Sequence, residues 1–287
     1  RVLILAASAN TILLVVQVIG AIAFGSLALL ADSVHQASDV VSLLLAVAIA
    51  SMLARPASDR FTYGFGRADA LGGLTHAVLL LGGSVLVVVE AIRRLGSEPE
   101  VDGVGVVVLA AVGLVINGAS AAWLHGGPAS SLNVEGAVLH LVADALGSLI
   151  VLVGGVLVVA TDADWIDPVA SLFVAALIVW SAVRLFRSSL HSLMDAVPEG
   201  VSIDELRQVL LDDPLVTDAH HLHVRTLDGS SLVFTAHVQI DTDDLHEAQL
   251  VTRRLTEALS AEGVGHVTLQ AECHPSESPD HGSPPPG

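Results

Sequence analysis

Residues 26–39 read SLALLADSVHQASD and residues 134–152 read VEGAVLHLVADALGSLIVL. Each run places a histidine four residues before an aspartate within a long apolar stretch: His35 with Asp39, and His140 with Asp144. On a helix that spacing puts both side chains on one face, one turn apart. Asp32 lies in the same run as His35. Ionisable groups are costly inside hydrocarbon, so each needs a partner or a role there. Two such helices facing each other present two imidazole nitrogens and two carboxylate oxygens. A tetrahedral N/O set of this kind suits Zn2+ and also accepts Co2+, Cd2+ or Mn2+. A single HxxxD in a soluble protein is commonly just a helical hydrogen bond. Two copies in two apolar runs point to an ion site, because the alternative leaves several buried polar groups without partners.

Working outward, a membrane helix needs about 20 apolar residues. Six stretches of that length lie between charged or Gly/Pro-rich breaks: Val2 to Phe24, Ser33 to Ala54, Ala70 to Leu95, Val104 to His125, Val134 to Ala160 and Trp165 to Phe186. The first is long, lacks a clear small-residue cleavage site and is followed by five more, so it is expected to belong to the mature fold. An even number of spans puts both termini on one side. Arg1, Arg55, Arg60, Arg67, Arg184 and Arg187 flank that side and only Arg93 and Arg94 the other, which predicts cytoplasmic termini. Glu98, Glu100 and Asp102 follow closely and are expected to pair with the two exceptions.

Composition requires a partitioned chain. It is 53% hydrophobic yet carries a formal charge of −18, and its mean hydropathy is +0.71. From Asp195 onward there are 17 acidic residues against 4 arginines, whereas the first 190 residues carry charge mainly at segment ends. A membrane domain over residues 1–190 is therefore expected to precede an acidic soluble one. The acidic balance argues against nucleic acid as a partner and favours cations. The one cysteine, Cys273, excludes an intrachain disulfide framework and fits a cytoplasmic tail.

After Pro198 the pattern becomes that of a small α+β domain over residues 199–275. Ser202 caps a helix to Leu211, with Glu205 at its third position. His220 to Leu227 and Ser231 to Asp241 alternate as strands joined at Asp228-Gly229, His246 to Glu262 reads as a helix, and Val264 to Cys273 closes as a strand. The order helix, strand, strand, helix, strand predicts a ferredoxin-like antiparallel sheet backed by two helices. Residues 276–287, rich in Pro, Ser and Gly, are expected to be a disordered tail.

The two runs quoted at the outset, together with YGFGRADALGGL at 63–74, DPVASLFVAALIV at 167–179 and LMDAVPEG at 193–200, resemble the cation diffusion facilitators, the zinc-exporting branch in particular. The resemblance covers residues 1 to 275, with five motifs in order. It implies a six-helix membrane domain with a cytoplasmic ferredoxin-like domain, a homodimer, and exchange of metal for protons. It also implies that His35, Asp39, His140 and Asp144 form the transport site. Relatives often carry a second metal site between the second and third spans, but here that loop, RPASDRFTYGFGR, has Phe61 and Phe65 where histidines are needed and keeps only Asp59, so no loop site is expected. The histidine-rich loop of many relatives is reduced to His125 in HGGPASS. In the soluble domain His220, His237 and Glu272 match the positions of a regulatory zinc site, and Gln270 stands where a further histidine can occur. His221, His223, Cys273 and His274 are nearby without a clear counterpart, and the plain alternative is that His223 and His237 fill alternate strand positions. Arg67 and Asp195 match an inter-helix charge link of the family, against a solvated pair.

Other polar residues in the spans have plainer readings. His76 and His191 lack partners at metal spacing, and His76 is expected to be a hydrogen-bonded core group. Asn10, Gln17 and Asn117 are expected to bond between helices.

Ligands must be deprotonated to bind Zn2+, which gives antiport a physical basis, and the chain has no GxxxxGK loop for ATP. The partners expected are therefore divalent ions, protons, the bilayer and a second copy of the chain, with no resident cofactor. Two other readings remain open at this stage. An intramembrane metallohydrolase needs an open zinc position and a general base such as the Glu of HExxH, and no such motif occurs. A metal sensor is separated from a transporter by metal flux in liposomes.

Overall fold

The computed structural model describes residues 2–97, 100–125, 132–227 and 231–273, except the side chains of 2–10, 42, 43, 46, 124, 132–137, 139 and 140. Six long helices come first: α1 (Val2–Ala23), α2 (Leu27–Leu53), α3 (Ala68–Leu95), α4 (Gly103–His125), α5 (Leu132–Thr161) and α6 (Ile166–Leu193). Among the described residues, Ala68–Leu95, Gly103–Trp123, Leu141–Thr161 and Ile166–Leu193 are long and apolar enough to cross a membrane, and Thr11–Ala23 is a shorter apolar helix. Ile22, Leu86, Phe173 and Trp180 are exposed on these helices. Such residues suit a lipid-facing surface, while Leu29, Val106, Val151 and Ala175 form part of the interior.

The second helix starts six residues before the expected Ser33. Its first turn is capped from α6: Asp167 accepts from Leu27 N at 2.7 Å and Ala28 N at 3.4 Å, and from the Ser26 hydroxyl. A carboxylate at a helix N-terminus satisfies orphan N–H groups and suits the helix dipole. Asp32 is consequently not at a segment edge but well inside α2, 1% exposed. Of the acids expected to pair with Arg93 and Arg94, Glu98 lies outside the described residues, and Arg94 has partners nearer by. It pairs with Glu90 on its own helix at 3.2 Å and donates to the Gly25 carbonyl at 2.6 Å, because the i,i+4 neighbour is already in reach. Arg93 lies 3.9 Å from the same Glu90.

The C-terminal domain runs α7 (Ile203–Leu211), β1 (Val216–Thr226), β2 (Leu232–Ile240), α8 (Leu245–Ala261) and β3 (Val264–Glu272). Ser202 and Asp244 cap the two helices by accepting from Glu205 N and His246 N. The sheet order is β1-β2-β3. It is mixed rather than antiparallel: β1 and β2 run antiparallel, but β2 and β3 run parallel. The reason is the connection. A tight turn can join antiparallel neighbours, whereas the α8 crossover returns the chain to the same end of the sheet. The expected turn at Asp228-Gly229 and the tail lie outside the described residues. Phe234, Val238 and Ile240 of β2 pack with Leu210, Leu255 and Leu259 of the helices into one core.

Candidate metal sites

Within the helical domain, His35 and Asp39 of α2 meet Asp144 of α5. One ligand atom from each lies within 4.8 Å of the others. His35 Nε2 is 3.5 Å from Asp144 Oδ1. Asp144 is 3% exposed and the α2 residues are half-buried. The helical spacing seen in the sequence thus becomes a three-group cluster crossing from one helix to another. His140 lies one turn before Asp144 on α5, and its side chain is outside the described residues.

A second polar contact crosses between the same helices one turn away. Asp32 Oδ2 accepts from Gln17 Nε2 of α1 at 3.2 Å, from Gln36 Nε2 at 3.2 Å and from Ser148 Oγ of α5 at 3.4 Å. Gln17 thus bonds between helices, as expected. Asn117 is buried in α4.

On the sheet, His220, His237 and Glu272 also converge, with ligand atoms within 4.8 Å of one another. His220 and His237 are cross-strand partners. His237 Nδ1 is 2.8 Å from Glu272 Oε1, and His220 Nε2 is 3.5 Å from Oε2. Asp218 lies 3.1 Å from His220 Nδ1, which turns Nε2 toward the glutamate. Gln270 donates to Glu272 Oε1 at 3.1 Å. His221 joins the group for a backbone reason. The β1 register shifts between His220 and His223, and His221 has φ of 50°. Its ring centroid is then 5.4 Å from that of His220 and 5.0 Å from that of His237. His223 lines the adjoining concavity with Thr235 and Gln270. Strand alternation alone hides both Asp218 and His221, since a bulge changes the face a residue occupies. Cys273 is exposed and His274 is outside the described residues.

Arg67 and Asp195 form an ion pair, and Arg67 also donates to the Leu193 carbonyl at 2.9 Å. Arg225 reaches the same carboxylate at 3.7 Å and lies over the Tyr63 ring. In the loop before α3, Phe61 and Phe65 stack with centroids 4.6 Å apart. His76 is half-buried in α3 and His191 is exposed in the last turn of α6.

Apolar helices enclosing a His/Asp cluster, followed by a small αββαβ domain, define a multi-pass membrane protein with ionisable groups gathered inside its helices. Comparison with known proteins makes that class specific. Residues 3–194 match the cation efflux transmembrane domain, and residues 198–274 match the cation efflux protein cytoplasmic domain. The chain belongs to the cation efflux family. Zinc transporter ZitB of Escherichia coli is 34% identical over 272 residues, 93% of this chain and 85% of that protein. Metal cation efflux system protein CzcD of Cupriavidus metallidurans is 33% identical over 267 residues, 93% and 84% of the two chains. A cadmium, cobalt and zinc/H(+)-K(+) antiporter of Bacillus subtilis is 28% identical over 263 residues, 90% and 84%.

Proposed function

We propose that this chain exports Zn2+, or a similar divalent cation such as Cd2+ or Co2+, from the cytoplasm in exchange for protons. The observation that carries the reading is the meeting of His35, Asp39 and Asp144 within 4.8 Å inside apolar helices. His140, one turn from Asp144, supplies the fourth ligand. The names of the relatives agree with this cargo. In this reading all six long helices span the membrane, both termini are cytoplasmic, residues 199–275 form a ferredoxin-like variant with a mixed sheet, and the chain works as a homodimer.

Protons compete with metal for every ligand in the set, because imidazole and carboxylate bind Zn2+ only when deprotonated. Metal entry therefore expels protons, and protons entering from the far side expel metal. Opening the site alternately to the two faces couples the two flows. Zinc binding to the purified full chain in weak buffer is expected to release protons. Its apparent affinity is expected to weaken as pH falls from about 7.5 to about 5.5, the range in which histidine ordinarily takes up its proton. Flat affinity with no proton release overturns the exchange and leaves facilitated diffusion.

In the cytoplasmic domain His220, His237 and Glu272 are proposed to hold a regulatory zinc. The donor set fits: two imidazoles and a carboxylate suit Zn2+, and Glu272 Oε2 is buried without a hydrogen-bond partner among the described residues. His237→Ala in the full chain is expected to lower the number of zinc ions bound per chain, read by titration. An unchanged number removes His237 from the site.

A further inference from the structure

Asp32 is a buried carboxylate that the exchange of metal and protons leaves unused. It is 1% exposed, and around it Gln17 and Ser148 are each 0% exposed. Three neutral donors, from α1, α2 and α5, all converge on Oδ2. Its other oxygen, Oδ1, faces the α5 backbone: a Cβ built on Gly147 lies 2.8 Å from it. Behind this contact, a Cβ on Gly113 of α4 lies 3.0 Å from both Gln17 Nε2 and Ser148 Oγ. Two glycines thus leave room for one carboxylate and its donors among four helices.

The placement along the helices is regular. Asp32 is three residues before His35, and Ser148 is four residues after Asp144. The Asp32–Ser148 contact and the His35–Asp144 contact are therefore successive rungs between α2 and α5, one turn apart. Moving the first rung moves the second, because each helix carries its two rung residues on one rigid turn.

We propose that Asp32 is a positioning residue that sets the separation of α2 and α5 at the metal site, and with it the size of cation the site prefers. This rests on reading His35, Asp39 and Asp144 as that site. Zn2+ is the smaller and Cd2+ the larger ion of equal charge, so a fixed, short separation favours zinc. Gly147→Ala drives a methyl into Asp32 Oδ1. The carboxylate cannot swing aside freely, since its other oxygen is held by three hydrogen bonds, so the helices part. Asp32→Ala removes the rung altogether. Asp32→Asn keeps its shape and an oxygen that accepts.

The test is competitive Zn2+ and Cd2+ flux in proteoliposomes containing the full chain. Gly147→Ala and Asp32→Ala are expected to shift the flux ratio toward Cd2+ by about tenfold, the scale on which groups that orient metal ligands act. Asp32→Asn is expected to stay close to the wild-type ratio. A general loss of folding lowers both fluxes together and leaves the ratio where it was. If Gly147→Ala does not insert, Ser148→Ala, which removes one hydrogen bond and adds no bulk, must move the ratio in the same direction. A ratio unmoved in variants that keep flux overturns the proposal, and so does an Asp32→Asn ratio displaced as far as that of Asp32→Ala. Asp39→Ala is run in parallel: flux retained there means that the site itself has been misread, whereas flux lost there with ratios unmoved elsewhere rejects only the role of Asp32.

Discussion

Asp144→Ala is expected to abolish metal flux into proteoliposomes, lowering it at least about 100-fold, more than the loss of a group that merely orients a ligand. Asp144 is the most deeply buried of the three described groups at the site, 3% exposed, and it brings α5 into contact with His35 at 3.5 Å. In the proposed site, its removal takes away a charged oxygen ligand at a buried position. The proposed four-ligand set then falls to three, one charge poorer. Asp39→Ala removes the other carboxylate and is expected to be as severe. Zinc titration of the purified variants separates lost binding from lost movement: both are expected to lose the membrane-domain ion. Wild-type flux from either variant removes that residue from the site.

The second large effect concerns folding. Phe234→Ala is expected to destabilise the cytoplasmic domain by about 3–5 kcal/mol, the usual result of deleting a large buried aromatic side chain. Phe234 is 0% exposed and packs in the core shared by β2, α7 and α8. Small domains hold only about 5–15 kcal/mol in all, so the loss is a large part of the total. Denaturant unfolding of the purified full chain, followed by a probe in this domain, measures it. A cost below 1 kcal/mol, on the scale of a surface change, shows that Phe234 is not central to the core.

Much of this was legible in the residues because the signals are local. Span length, the i,i+4 pairing of His35 with Asp39, and the Ser202 cap each depend on neighbours within one or two turns. What escaped depends on partners far along the chain. The start of α2 is decided by Asp167, 140 residues away from Leu27. Arg94 finds the Gly25 carbonyl across 69 residues. The parallel β2–β3 pairing is a choice of neighbour that strand alternation does not encode. His221 enters the histidine cluster only because β1 bulges beside it. The polar residue Asp32 could be seen, but its donors could not: Gln17 and Ser148 lie 15 and 116 residues away.

The cap on α2 has a mechanical consequence. A helix held at its first turn by a carboxylate of another helix swings about that point as a lever, and displacement grows with distance from the fulcrum. At 1.5 Å per residue, Asp32, His35 and Asp39 stand at roughly 8, 12 and 18 Å from Leu27. A swing of about 10° therefore shifts them by roughly 1, 2 and 3 Å, while a ligand bond to zinc is only about 2 Å long. At the proposed site, such a swing would loosen the grip on the ion first at Asp39, farthest from the pivot, and stretch the bonds of Asp32, nearest to it, least. Access and release then become a single movement, graded along one helix.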